Sequence, residues 1–431
     1  MKPFFTVLAL CALLLAACDQ VQPLLGVSTP PSTLLPQPSV TQFAPVLPPV
    51  NVTPTEPGKT ILRVWVPPRF DPDSGNLAGE LLKKRLNDFT QQHPGIQLEV
   101  RVKALSGIGG LLDSLVTTSA AAPLAMPDLV ALSREDLEAA ALKGLLHTYA
   151  GSTDIQNGPD WYDYARQLAQ IQNSVYGLPF AGDVTLVVYR PESIPVPPAD
   201  WSALLESQAP LIFAAGDPDS IFTLTLYQAR EGAVQDSQGQ PHLDTARLEE
   251  VLNFFREARN LGVMPEWLTQ LEDDQEAWDS FLGGAANQVF SWSSNFLSSG
   301  SSDLAITSTP TPGAASFTLA RGWVWALSSP DEDRLQLGKQ LAAFLAESPF
   351  MAAWTQASGY LPPRPSALEA WNATPYQPIL AGISRSARLQ PSEDTLIILG
   401  APLKQATITI LTGESEPASA ARTAADSLIK P

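Results

Sequence analysis

Apolar positions along the chain change period in a regular order. Ile61-Leu62-Arg63-Val64-Trp65-Val66 is a short buried-strand signal. Leu77, Leu81, Leu82, Leu86 and Phe89 then recur at helical spacing until His93-Pro94-Gly95 stops them. Ile96, Leu98, Val100 and Val102 alternate with Gln97, Glu99, Arg101 and Lys103, a period-2 strand. A second helix is predicted over Leu111 to Ala121, followed by a strand at Pro127 to Leu132. Ser133-Arg134-Glu135-Asp136 opens a third helix reaching about His147, its acidic first turn suiting the helix dipole. This β-α-β-α-β-α order predicts an α/β fold with a doubly wound sheet. Further on, Asp244 or Thr245 caps a helix with Leu248, Val251, Leu252, Phe255 and Ala258 on one face and Gly262 at its end. Ser329-Pro330-Asp331-Glu332 starts another, carrying Leu337, Leu341, Phe344 and Leu345, with Pro349 after its end. There is no internal repeat.

The first residues follow a different logic. Lys2 precedes a nearly unbroken apolar run from Phe4 to Leu15, the layout of a secretion signal and too short for a stable membrane span. Leu15-Ala16-Ala17-Cys18 resembles the lipobox of bacterial lipoproteins, which implies cleavage after residue 17 and a diacylglyceryl group on Cys18. Two acyl chains, at about 0.8 kcal/mol per buried methylene, hold a protein on a bilayer where one does not. Residues 18–59 continue as a stalk with ten prolines and few charges, a composition that favours extended polyproline-like chain. Its upper reach is on the order of 100 Å at about 3.1 Å per residue. Beyond the first run, no apolar segment is expected to span a membrane.

Composition narrows the function. The chain has 431 residues, 26 Lys and Arg against 44 Asp and Glu, and a formal charge of −18. That balance argues against nucleic acid, whose phosphates need clustered cations. Three His and two Cys, one of them in the cleaved segment, give no expectation of a metal site or cofactor. Asp71-Pro72-Asp73-Ser74-Gly75 begins like a calcium loop but has Leu82 where a bidentate Glu is needed. Gly107-Ile108-Gly109-Gly110 lacks the strand and Lys of a phosphate loop. No Gly-x-Ser-x-Gly elbow occurs, so no catalytic residue is assigned.

Seven segments in order resemble the extracellular solute-binding proteins of ABC importers, in the cluster with maltose-binding proteins. They are His93 to Val100, Pro127 to Val130, Val175 to Phe180 with Leu186 to Tyr189, Pro198 to Trp201, Phe281 to Trp292, Gly322 to Leu327, and Gly359 to Arg364. Tyr189-Arg190 and Asn287-Gln288-Val289 depart from the family pattern. The resemblance implies two α/β lobes joined by crossing strands. Lobe 1 would hold 60–182 and 306–348, and lobe 2 would hold 183–305 and 349–431. The crossings would fall near Ala181–Thr185, Ala305–Pro312 and Pro349. It also implies capture of a small solute, most expectedly a mono- or oligosaccharide, by hinge closure. The ABC permease subunits would be the protein partner, and the chain a monomer outside the cytoplasm, held to the membrane by lipid.

A sugar site wants aromatic platforms and fixed polar groups. Candidates are Trp292 and Asn295 in a polar stretch, Asp183 with Phe180 at the first crossing, Arg69 after the first strand, Trp323 beside Gly322, and Tyr360. Trp65 and Trp325 read as core; Asp217, Asp219 and Tyr227 are weaker candidates. A polyamine or other cation is an alternative that would require several cleft carboxylates. A glycan-degrading lipoprotein enzyme would need a carboxylate pair about 5–9 Å apart. A ligand-presenting sensor is the third reading.

Overall fold

The computed structural model describes residues 58–149, 155, 158–313 and 316–428. The expected signal peptide, lipidated Cys18 and nearly all of the stalk lie outside the described residues. Among the described residues eleven strands follow in chain order: β1 (Thr60–Val66), β2 (Ile96–Val102), β3 (Leu129–Ser133), β4 (Gln170–Ile171), β5 (Ser174–Val175), β6 (Gly177–Tyr189), β7 (Leu211–Ile212), β8 (Gln288–Trp292), β9 (Ala305–Thr307), β10 (Thr318–Leu327) and β11 (Ala387–Leu389).

The opening β-α-β-α-β-α reading holds. β1 pairs in parallel with β2 and β3, and its Leu62, Val64, Trp65 and Val66 are buried. The helix Leu77–Gln92 is capped by the Asn76 side chain, which accepts from the Gly79 amide, and it buries Leu82, Leu86 and Phe89. The third helix, Arg134–Leu142, is capped by Ser133 and ends before the expected His147. Gly144, at φ +68°, turns the chain there, and the His147 amide instead donates to the Leu327 carbonyl. The helix expected from Ser329 begins at Glu332, because Asp331 supplies the cap by accepting from the Arg334 amide.

β6 joins the lobes. Its first part, Gly177 to Val184, pairs antiparallel with β10, and its second, Thr185 to Tyr189, pairs with β8 and β9. The sheet therefore runs β2-β1-β3-β10-β6-β8-β7, one lobe on each side of β6. The second crossing lies later than expected: β9 is still paired with the lobe 2 part of β6, Thr311 bridges Asp200, and the first residues of β10 make the return. The third expected boundary also moves. The helix Ser348–Ser358 packs on Leu77–Gln92, and its Trp354 sits 5.4 Å from Phe70, so it belongs to lobe 1. Lobe 2 recovers the chain at the C-terminal helices Glu393–Thr412 and Pro417–Ser427, which pack on Thr245–Asn260.

Glu393–Thr412 corrects one expectation: by length and composition it is apolar enough to cross a membrane, yet half of that stretch is buried against neighbouring helices. It is a core helix of lobe 2.

At the crossing, Gly182 of β6 lies opposite Gly322 of β10. Neither position has room for a side chain. A Cβ on Gly182 would overlap the Tyr164 hydroxyl, and one on Gly322 would overlap the Ala181 carbonyl.

Candidate functional site

Four strands end around one cavity of about 430 Å³. Lobe 1 contributes Arg69, beyond β1, and Glu135, beyond β3. Lobe 2 contributes Asp217 and Asp219, beyond β7, and Trp292, Ser294 and Asn295 at the end of β8. Asp273, Asp274 and Gln275 enter from the start of the helix Asp274–Leu282, and Arg321 from β10. In α/β sheets, ligands sit at the carboxyl ends of strands, and this cavity meets that condition from both lobes.

Three of the seven predicted site residues line it: Arg69, Trp292 and Asn295. The Asn295 Nδ2 donates to Asp274 Oδ2 at 2.8 Å and to Ser291 Oγ at 3.0 Å, so the amide is held in place. The face of Trp292 carries the Arg321 guanidinium, 4.0 Å from the ring centroid. Arg69 donates to the Tyr360 hydroxyl and lies 5.5 Å from the Trp323 ring.

The other four are placed elsewhere. Phe180, 2 % exposed, stacks on Trp325 at 4.3 Å and meets Phe70 at 5.2 Å. Trp323 and Tyr360 also pack around Phe70, at 5.1 and 5.8 Å. These predicted ligand aromatics thus form a cluster inside lobe 1, with Arg69 between it and the cavity. Asp183, 2 % exposed, is spent internally. It accepts from Ser293 Oγ (2.8 Å), the Ser294 amide (2.9 Å), Ser294 Oγ (2.8 Å), and Arg321 through Nε (3.2 Å) and Nη2 (3.1 Å). With both oxygens occupied, it binds the crossing strands together and leaves no lone pair for sugar hydroxyls. The weaker candidate Tyr227 is core as well: its hydroxyl donates to the Ala233 carbonyl and accepts from the Asp244 amide.

The sequence reading missed Glu135, Asp274 and Arg321 and underrated Asp217 and Asp219. Burial is the main cause of raised carboxyl pKa values at all four acids. Asp274 is pushed up to about 6, with the Ser291 hydroxyl and Arg321 opposing the rise. Asp217 rises although it accepts from the Ile221 and Asp219 amides, both at 3.0 Å. Glu135 is raised further by Asp136 and Asp219, and Asp219 by Glu393. Among the described residues no hydrogen-bond donor reaches the carboxylate of Glu135 or Asp219, and no group of acids, His or Cys is arranged to hold a metal ion.

Two α/β lobes joined by shared strands, with a cavity where strands of both lobes end, define the class of two-lobed binding proteins. The chain belongs to the bacterial extracellular solute-binding protein family, which it matches over residues 84–378. That membership places it outside the cytoplasm, among binding proteins. Its fold is similar to that of maltose-bound MalE3 of T. maritima, with a TM-score of 0.65 and 19 % identity over 86 % of this chain and 99 % of that one. A cyclo/maltodextrin-binding protein complexed with maltotetraose gives a TM-score of 0.70 and 19 % identity over 87 % and 98 %. The sugar-binding protein MalE of Xanthomonas citri gives 0.70 and 16 % over 86 % and 98 %. No curated protein matches the chain by sequence. The family resemblance of the sequence and its two-lobed α/β expectation are both met.

Proposed function

We propose that the chain is the lipid-anchored substrate-binding subunit of an ABC importer, which closes on a mono- or oligosaccharide and delivers it to a membrane permease. The observation that carries this reading is the cavity itself. It has walls from both lobes, it lies at strand ends, and its volume falls in the range of small-ligand sites. Trp292, Asn295 and Gln275 give it an aromatic surface and amides of the kind that recognise hydroxyl-bearing rings. The similar folds of a maltose-bound and a maltotetraose-bound protein support a sugar. Leu15-Ala16-Ala17-Cys18 supports the anchor, and the proline-rich segment after it supports a spacer between bilayer and body.

A thermal-shift panel on the mature full-length chain tests the reading, with mono- and oligosaccharides, polyamines and amino acids as probes and with glycan products monitored in parallel. A solute at 100 times its dissociation constant stabilises the native state by about 2.7 kcal/mol, enough for a clear rise in melting temperature. A rise with a sugar and no product is expected. Product formation would move the protein to the enzymes, and no rise with any sugar would overturn the saccharide assignment. Incorporation of labelled fatty acid, lost in Cys18→Ala, checks the anchor.

A further inference from the structure

The cleft holds more negative charge than hydroxyl recognition needs. Glu135 from lobe 1 and Asp219 from lobe 2 line the same cavity, joined by Asp217 and Asp274. The neighbouring acids Asp136 and Glu393 add to the field at Glu135 and Asp219. Two guanidinium groups stand against these acids. Arg321 donates through Nε and Nη2 to Asp183 and lies 4.0 Å from the Trp292 ring centroid, and its charge only partly offsets the rise at Glu135 and Asp219. Arg69 faces the Tyr360 hydroxyl.

The acids differ in how well their own lobe satisfies them. Asp217 accepts two backbone amides, and Asp274 accepts from Asn295. Glu135 and Asp219 have no donor among the described residues, and they sit on opposite lobes, where the Asp219 charge acts against ionisation of Glu135. A sugar hydroxyl would give such a pair one neutral hydrogen bond. An ammonium gives three donors and a full charge. It would also turn repulsion between the lobes into a bridge made only when they approach, which is the differential contact that closure requires.

The geometry points to an amine-bearing saccharide as the solute, its ammonium seated between Glu135 and Asp219 and its hydroxylated ring towards Trp292 and Asn295. This assignment rests on the solute-binding reading above and names the substrate class of the same cleft.

Calorimetry on the mature full-length chain decides it, with sugars presented in matched pairs at a pH that keeps the amine charged. The pairs are glucose with glucosamine, galactose with galactosamine, mannose with mannosamine, and cellobiose with its fully amino counterpart. Spermidine serves as an amine without a ring. In at least one pair the amino member is expected to bind ten times more tightly or better. That advantage should shrink as salt is added, and shrink again in Glu135→Gln and in Asp219→Asn. The salt series on the unaltered chain stands alone if either variant fails to fold. Equal or tighter binding of every neutral partner overturns the inference and leaves the saccharide reading intact. Binding of spermidine with no sugar overturns the saccharide in both. Binding of nothing in the panel overturns both together.

Discussion

Asp183, buried behind the cavity-lining Ser294 and Arg321, and Asp219, which lines the cavity itself, are acids with opposite surroundings. Asp183 lies on a strand shared by both lobes and receives five donor atoms, from Ser293, Ser294 and Arg321. Asp219 lies in the turn after β7, lines the cavity and receives no donor among the described residues. A carboxylate on a strand meets partners from both neighbouring strands and is consumed by the fold. One on a turn beyond a strand end has only its own turn to draw on, and stays available to a solute.

The sharpest way to break that contrast is to truncate both. Asp183→Ala removes the acceptor for a buried serine hydroxyl and the partner of Arg321, and should cost about 2–4 kcal/mol. Asp219→Ala should stay within about 0.5 kcal/mol of the parent. Denaturant midpoints of the two variants measure the difference, and equal losses would dissolve the distinction. Next in size is the crossing itself. Gly182→Ala pushes a methyl into the Tyr164 hydroxyl and should cost roughly 1–3 kcal/mol. Adding Tyr164→Phe removes the overlapping oxygen and should return part of the loss, read from the same midpoints.

The smallest effect depends on pH. Because burial raises Asp274 to about 6, the native state favours its neutral form. The stability this gives is fully present below the ordinary carboxylate pKa of about 4 and is lost as pH rises through about 6. Asp274→Asn should therefore gain about 1–2 kcal/mol over the parent at pH 8 and nothing at pH 4. Melting curves at the two pH values test it, and an equal gain at both would place the effect outside ionisation.

The fold was largely legible in the sequence, since its first strands and helices follow local rules of period and capping. Asn76, Ser133 and Asp244 all cap the helices that follow them. The lobe boundaries were less so, because the helix Ser348–Ser358 chooses its lobe by what its Trp354 packs on, not by any local signal. At the site, Trp292 and Asn295 stood out as an aromatic and an amide in a polar stretch. Glu135 and Asp274 did not, because an acid in the first turn of a helix has a sufficient local explanation in the dipole. Arg321 was invisible for another reason: its role comes from register with Asp183, 138 positions earlier. Phe180, Trp323 and Tyr360 misled because three aromatics near strand ends look alike in sequence, whether they face solvent or converge on Phe70.

The place of β10 between β3 and β6 also bears on how the chain reaches its destination. Leu129 pairs with Leu327, and Leu178 with Trp325, so the sheet of the first lobe has a gap until β10 arrives. A nascent chain shorter than that has no native first lobe to form, because its central strand is missing. The topology thus delays folding until most of the polypeptide has been made. In a protein that works outside the cytoplasm, a chain that ends before β10 would therefore be delivered without a first lobe able to close on anything.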